Sequence, residues 1–250
     1  MKKYIVFALF LYAICLNKTY GQNNAIQISS ILDPELNELK ITQTITFFNK
    51  SDSDLKEIYL HNWPNAYKDK NTPLAKRFIE NYSKSFHFAK EKHRGSGIIK
   101  SISVDYDIAN WEINNEQPDI LKINLDSFLQ PKDSVKINVT YIVKLPKDKF
   151  TRYGANTTSY NLRYWYIAPA IFDKTWKIYS NLDMDDLYVD NTDYNITFIV
   201  PKSYILNSDI FSSFKYNGEN KDTTEQRHLE HRNLLLENGT VTQEQVDEVS

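Results

Sequence analysis

The side chains best able to hold a ligand lie in two aromatic stretches of the sequence. The first runs from His61 to Tyr67 and reads HNWPNAY, and the second runs from Tyr160 to Trp176 and contains Arg163-Tyr164-Trp165-Tyr166. Rings of this kind can form a face that binds sugars or peptides, with hydroxyl and indole groups adding hydrogen bonds. They also fill the core of a β-protein, and composition alone assigns about half of them to that role.

Nucleophilic catalysis has no candidate constellation in this chain. The sequence has no G-x-S-x-G stretch, and Gly95-Ser96-Gly97 lacks the strand-turn-helix context that such a nucleophile needs. The one cysteine, Cys15, lies in a segment that resembles a signal peptide. We therefore predict no catalytic residue.

Two groups of side chains have spacings that bear on metal binding. His228 and His231 stand one helical turn apart, but the zincin motif requires H-E-x-x-H, and a solvated helix face explains the pair more simply. An acidic group has oxygen ligands at a spacing that suits calcium, although it lacks the glycine of an EF-hand loop and is also explained as a solvated turn. This group consists of Asp183, Asp185, Asp186 and Asp190. We assign no metal ligand.

Composition limits the class of protein. The chain of 250 residues has 30 lysines and arginines against 32 aspartates and glutamates, which leaves a formal net charge of −2. This balance argues against a nucleic-acid partner, because such proteins need a basic surface. Six glycines are too few for a glycine-rich phosphate-binding architecture, and one cysteine excludes a disulfide scaffold.

Residues 1–21 have the features of a secretory signal peptide. Lys2 and Lys3 precede an apolar run from Ile5 to Leu16, and the polar stretch after it ends in a small residue at Gly21. The apolar run is too short to cross a bilayer comfortably, and we predict no membrane span. We therefore expect an exported protein, located in the periplasm, in the cell envelope or outside the cell.

Most of residues 22–210 alternate polar and apolar side chains with period two, which is typical of half-buried strands. The clearest case is Ser134 to Leu145, and Pro73 to Phe86 instead has helical spacing with Thr72 as its N-cap. Further strands are predicted over Ala25–Leu32, Leu39–Phe48, Leu55–Trp63, Gly97–Ile108, Ile120–Leu125, Tyr160–Ile167 and Tyr194–Val200. The pattern predicts an all-β fold, an antiparallel β-sandwich with one inserted helix.

Residues 211–250 have a different character. Asn217 to Thr224 is a polar linker, Thr224 to Asn238 has helical spacing, and Thr242 with Gln245 forms a capping box for one more helix. A helix that has only just begun at Ser250 would not be stable alone. We therefore expect a polar linker and a helical C-terminal segment that is truncated.

Taken in order, the two aromatic stretches resemble the amino-terminal domain of secreted zinc aminopeptidases of the aminopeptidase N (gluzincin) family, in the form common among Bacteroidetes bacteria. The resemblance spans about Ala25 to Asn207 and includes Leu129-Gln130-Pro131 before the strand at Ser134. It implies a saddle-like β-sandwich that packs on a thermolysin-like catalytic domain. In that family the sandwich forms one side of the active site.

The resemblance also indicates which parts this chain lacks. The family's zinc motif H-E-x-x-H and its exopeptidase motif G-x-M-E-N are absent from the sequence, so zinc is expected in a missing catalytic domain. Relatives tend to carry a glutamine that meets the substrate's amine. Tyr164 stands in that place, after an arginine that would repel an ammonium group. The substrate-binding residues implied by the resemblance are Tyr164, Trp165, Tyr166 and Asp186.

The function implied by the resemblance is that of a non-catalytic domain in an enzyme that removes amino-terminal residues from peptides. Such a chain would be inactive without its catalytic domain. The alternative is a stand-alone secreted module that binds peptide or glycan through Trp63, Trp165 and Tyr166. The first hypothesis predicts bare apolar surface where the catalytic domain docks, and the second predicts those rings exposed in one patch.

Overall fold

The computed structural model describes residues 23–183, 187–207 and 214–216 of the chain. The predicted signal peptide, Asp186 and the helices predicted after Asn217 lie outside the described residues. In chain order the strands are β1 (Asn24–Asp33), β2 (Glu38–Phe48), β3 (Leu55–His61), β4 (Ser96–Val104), β5 (Asp107–Ile108), β6 (Asn110–Ile113), β7 (Ile120–Leu129), β8 (Ser134–Lys144), β9 (Gly154–Ala155), β10 (Tyr160–Asn161), β11 (Ala168–Pro169), β12 (Ile171–Asp173), β13 (Thr175–Lys177), β14 (Thr192–Val200) and β15 (Phe214–Tyr216).

The strands form two main sheets around one core. The larger sheet has the order β15-β14-β1-β2-β8-β4-β5, and the smaller has the order β11-β3-β7-β6. Inward-facing side chains of both sheets join one buried cluster, which includes Ile41 and Ile137 from the larger sheet and Ile58 and Leu121 from the smaller. The alternation seen in the sequence decides which side chains enter this core. The predicted all-β sandwich is confirmed.

Purely antiparallel pairing fails at one edge of the larger sheet. β14 lies parallel to β1, with Asn24 opposite Thr192 and Ile31 opposite Ile199, and β15 lies parallel to β14. The pairs β1–β2, β2–β8, β8–β4 and β4–β5 are antiparallel, as expected. A parallel pair of strands needs a long connection, and here that connection is nearly the whole sandwich. The alternation of side chains within either strand therefore could not reveal that the two strands pair in parallel.

The helix α1 spans Pro73–Glu80 and begins as predicted. The Thr72 hydroxyl accepts a hydrogen bond from the Ala75 N–H at 3.2 Å, and proline occupies the first helical position. The helix ends before the predicted Phe86, because Tyr82 adopts a left-handed φ of 58°. The Ser83 N–H then donates to the Phe78 carbonyl at 2.7 Å, which is the Schellman arrangement that usually places glycine where Tyr82 stands.

The predicted strand Tyr160–Ile167 is present only as β10, over Tyr160–Asn161. A buried glutamine of β2, Gln43, takes the place of a neighbouring strand further along. Its side-chain amide donates to the Ile167 carbonyl at 2.5 Å, and the Ile167 N–H donates back to Gln43 Oε1 at 3.3 Å. The backbone groups of Ile167 are therefore satisfied without a sheet ladder.

Candidate ligand-binding cleft

The two aromatic stretches meet where β3 ends. Trp63 begins a short 3-10 turn, Trp63–Tyr67, and its ring stacks on His61 with centroids 4.8 Å apart. The same indole contacts Tyr164 edge-on at 5.3 Å and Tyr179 at 5.9 Å. Trp63 is 0% exposed. The cluster is therefore a rigid base on which the second stretch rests.

His61 is part of this base and is held neutral. Burial lowers the pKa of His61 to about 3, because the charged imidazolium would lose its hydration. Its Nε2 atom accepts a hydrogen bond from the Tyr179 N–H at 3.5 Å, and Nδ1 has no hydrogen-bond partner among the described residues. The side chain acts here as an aromatic ring and as an acceptor for the backbone of Tyr179, which follows the second stretch.

Tyr164, the first predicted substrate-binding residue, lies at the edge of a small cleft. Its backbone has a left-handed φ of 50°, a strained conformation for a tyrosine. The conformation sets the ring against Trp63 and lets the hydroxyl accept a hydrogen bond from the Leu187 N–H at 3.1 Å. Tyr164 thus connects the segment after β10 to the segment before β14.

Trp165 and Tyr166, the next two predicted residues, point into the sandwich. Trp165 is 8% exposed and packs edge-on against Phe198 with centroids 5.4 Å apart. The Tyr166 hydroxyl donates to the Tyr194 hydroxyl at 3.1 Å, and burial raises the pKa of Tyr166. The structure therefore brings Tyr164 alone of these three to the cleft. Asp186 lies outside the described residues, and the binding role of all four stays a prediction.

The cleft combines aromatic, cationic and acidic side chains in a space of about 10 Å³, which is room for about one water molecule. Two of its residues, Tyr164 and Asp183, have a left-handed backbone, with Asp183 at φ 52°. Strained residues of this kind concentrate at functional sites. The cleft is lined by Tyr67, Arg152, Tyr153, Arg163, Tyr164, Asn181, Asp183 and Leu187.

The charges around the cleft surround one carboxylate with guanidinium groups. Desolvation by neighbouring side chains raises the pKa of Asp183, and the positive charges of Arg152, Arg163 and Arg77 oppose that rise. The Arg163 guanidinium lies over the Tyr164 ring, 5.0 Å from its centroid. A small group with a positive charge would meet the Asp183 carboxylate here, and one with a negative charge would meet the guanidinium groups. The arrangement is therefore suited to binding.

Asp119 anchors the segment that contributes Asn181 and Asp183 to the cleft. This fully buried carboxylate accepts hydrogen bonds from the Ser180 hydroxyl at 2.8 Å and from the Asn181 N–H at 2.7 Å. Burial raises the pKa of Asp119 to about 6, although both hydrogen bonds favour the charged form. Asp119 thereby fixes the start of the segment that carries Asn181 and Asp183.

Several cleft residues could not be found from the sequence. Arg152 and Asn181 belong to no motif, and only the fold brings them to Tyr164. Asp183 belongs to the acidic group of the sequence, and Tyr67 is the last residue of the first aromatic stretch. The periodicity of β3 and the aromatic run near Tyr164 each point to one part of the cleft. Neither pattern predicts that the two parts contact each other.

The described residues offer no donor set that fits a catalytic zinc ion. H-E-x-x-H is absent from the whole sequence. Within residues 23–183 and 187–207, no three histidine, cysteine or carboxylate side chains are grouped closely enough to hold a metal. No helix among the described residues has the length and apolar character that a membrane crossing requires.

Comparison with known proteins identifies similar solved structures. No protein-family model matches this chain, and no curated protein matches it. A two-domain M1 zinc metallopeptidase, a mutant bound to L-arginine, has 12% identity and a TM-score of 0.40, over 73% of this chain and 32% of that chain. The M1 zinc metallopeptidase from Deinococcus radiodurans has 10% identity and a TM-score of 0.29, over 50% of this chain and 20% of that chain.

A third similar structure is leukotriene A4 hydrolase from Saccharomyces cerevisiae. It has 12% identity and a TM-score of 0.27, over 54% of this chain and 18% of that chain. The chain thus spans about a fifth to about a third of the length of these proteins. Identities and TM-scores in this range do not assign it to their family.

Proposed function

We propose that this chain is the non-catalytic β-sandwich domain of an aminopeptidase-N-like zinc metallopeptidase. One observation carries the proposal: the two sequence stretches that define the resemblance, around Trp63 and around Tyr164, contact each other and form the base and edge of one cleft. A domain that lines a neighbouring active site needs such a rigid, polar edge. Zinc and the peptidase chemistry would belong to a thermolysin-like catalytic domain.

A role without chemistry of its own agrees with the side chains of the cleft. Hydrolysis by this class of enzyme requires a metal ion that polarises the scissile carbonyl and a base that activates water. The cleft itself has room for about one water molecule, but the tyrosine, arginine, asparagine and aspartate side chains at its rim could contact a peptide end that lies against it through charge-assisted hydrogen bonds. In the complete enzyme, which would remove amino-terminal residues from peptides outside the cytoplasm, this chain would form part of the substrate-binding wall.

Exposed apolar side chains near α1 support the docking of a second domain. Ile79 is 43% exposed, Tyr82 91% and Phe88 77%, all within the helix or the turns that follow it. Next to the aromatic base, Tyr188 is 70% exposed. Three large apolar side chains exposed within ten residues of one another are what a surface covered by another domain would present.

The alternative, a stand-alone module that binds through Trp63, Trp165 and Tyr166, disagrees with the structure. Trp63 and Trp165 are buried, and Tyr166 is half-buried with its hydroxyl bonded to Tyr194. A ring that stacks on a sugar or peptide must present a face to solvent. These rings form no exposed patch, so we do not propose that function.

The test compares the purified chain with the native assembly, isolated from its cells with an antibody against residues 23–207. We expect the chain alone to hydrolyse no amino-acyl anilide, with or without added zinc. We expect the native assembly to contain a zinc-peptidase domain, to hydrolyse the anilide, and to lose that activity to a chelator. Hydrolysis by the chain alone, or a native protein of this chain's mass without peptidase activity, would contradict the proposal.

A further inference from the structure

A second candidate site lies on the outer face of the larger sheet, on the opposite side of that sheet from the core. β-strand register aligns a row of hydroxyl side chains across five strands: Thr197, Ser29, Thr42, Thr140 and Ser101. Neighbouring strands lie about 4.8 Å apart, so the row is about 19 Å long. Each hydroxyl can both donate and accept a hydrogen bond.

A parallel row on the same face adds amides. It consists of Asn195, Gln27, Thr44, Asn138 and Ser103, again one from each strand. Thr44 donates to Asn138 Oδ1 at 2.8 Å, which orders the centre of this row. The two rows contain no aromatic ring, whereas the centres of protein–protein interfaces are enriched in tyrosine, tryptophan and phenylalanine.

On the other side of the hydroxyl row the face becomes aliphatic and basic. Ile31 is 44% exposed and lies directly opposite Lys40, which in turn lies opposite Ile142. These side chains border a depression of about 280 Å³ that also includes Ser29, Thr42 and Thr140. The depression therefore offers apolar contact for C–H groups beside hydroxyls that can bind other hydroxyls.

A β-bulge adds a second ammonium group to the depression. The register of β4 against β8 shifts between Ile99 and Ser101, so Lys100 is the extra residue and stands exposed at the depression's edge. Bulges of this kind redirect a side chain and are over-represented beside functional sites. Lys40 is paired with Asp33 at 3.1 Å, and no acidic side chain lines the depression.

We infer that this face binds an acidic polysaccharide. The hydroxyl and amide rows would bind sugar hydroxyls, the isoleucines would contact the C–H faces of the sugar rings, and Lys100 with Lys40 would bind a uronate carboxylate. Charge complementarity carries the choice of an acidic rather than a neutral chain, because the charged side chains bordering the depression are both lysines and Asp33 offsets the charge of Lys40 alone, which leaves a net positive charge at Lys100. The site is separate from the cleft at Tyr164 and does not depend on the proposed peptidase role.

The experiment measures binding of a short oligogalacturonate to the full chain, by backbone amide NMR shifts and by calorimetry. We expect shifts confined to β14, β1, β2, β8 and β4, and about tenfold weaker binding by Lys100→Gln, because one charge-assisted hydrogen bond is lost. Thr42→Val with Thr140→Val should weaken binding to a similar degree. Lys136→Gln is the matched control, since Lys136 is exposed on the same face of β8 but lies outside the depression.

Four results would overturn the inference. No binding at millimolar oligogalacturonate would exclude the site. Equal loss in Lys100→Gln and Lys136→Gln, or equal binding of a neutral glucose oligomer, would show that the depression and its charge have no specific role. Unmoved amide shifts together with dimerisation through this face would make it a protein interface.

Discussion

Tyr164 illustrates how one residue can be found from sequence and yet be misjudged in its contacts. Its aromatic neighbours and its place in the resemblance drew attention to it, and the structure places it at the cleft. The adjacent Trp165 and Tyr166 have the same signal, but Trp165 enters the core and the half-buried Tyr166 packs against it. Alternation could not separate them, because Tyr164 leaves the strand conformation at φ 50°.

Replacing Tyr164 with phenylalanine should separate the ring from the hydroxyl. The ring contact with Trp63 would remain, and the Leu187 N–H would lose its acceptor. We expect the free energy of unfolding to fall by about 1 kcal/mol, the usual size of one such hydrogen bond. Urea denaturation of Tyr164→Phe measures the change, with Tyr106→Phe as a control because Tyr106 is 86% exposed. Equal losses in both variants would contradict the assigned hydrogen bond.

At Tyr82 we predict that a substitution raises the free energy of unfolding. It is 91% exposed and holds the left-handed position that ends α1, where a side chain is disfavoured. Tyr82→Gly should raise the stability of the isolated chain by about 1 kcal/mol, because glycine adopts this conformation without steric cost. Thermal unfolding measures the gain, and Tyr82→Ala, which keeps the Cβ atom, should not show it. A gain in the alanine variant would mean that the exposed ring, and not the backbone, is unfavourable.

At the scale of elements, the hydrogen bonds between Asp119 and the segment that begins at Ser180 should make the stability of the chain depend on pH. A carboxyl whose pKa is about 6 in the folded chain against an ordinary 3.8 favours the folded state when protonated. That stabilisation is complete at low pH and is lost as pH rises through 6, for a total of about 3 kcal/mol. Asp119→Asn cannot ionise, so its stability relative to the unmodified chain should increase by about that amount between about pH 4 and pH 7.

Denaturant titrations at several pH values measure this difference. Asp126→Asn serves as the control, since Asp126 is exposed on the same strand, β7. A stability difference for Asp119→Asn that does not change with pH would mean that the carboxyl is not desolvated as its burial indicates.

Elements whose side chains alternate regularly could be predicted, and the others could not. β8 and β2 appear nearly as expected, because one face of each is buried along its whole length. The start of α1 followed from Thr72 and Pro73. The strand predicted toward Ile167 failed because Gln43, a residue more than a hundred positions earlier, satisfies its backbone from inside the core. No local pattern reports such a partner.

For the whole molecule, the sandwich presents two unlike surfaces. One edge carries the cleft at Tyr164 and belongs to the proposed peptidase role, and the outer face of the larger sheet carries hydroxyl rows and Lys100. The class of fold followed from the sequence because period-two patterning depends on burial alone. The cleft did not, because its residues come from separate segments around Tyr67, Arg152 and Asn181 that only the tertiary fold brings together.

The parallel pairing of β1 with β14 has a consequence for how the chain acquires its structure. Asn24 must wait for Thr192, 168 residues later, before β1 gains its second neighbour. Contacts of such large sequence separation slow folding, because loop closure costs entropy before the contact forms. Until then one edge of β1, a strand that itself contains the apolar residues Ile26 and Ile28, is open to pairing with another chain. The domain is therefore expected to fold slowly, and only after the strand β14 is available. Until then it is expected to need protection from aggregation.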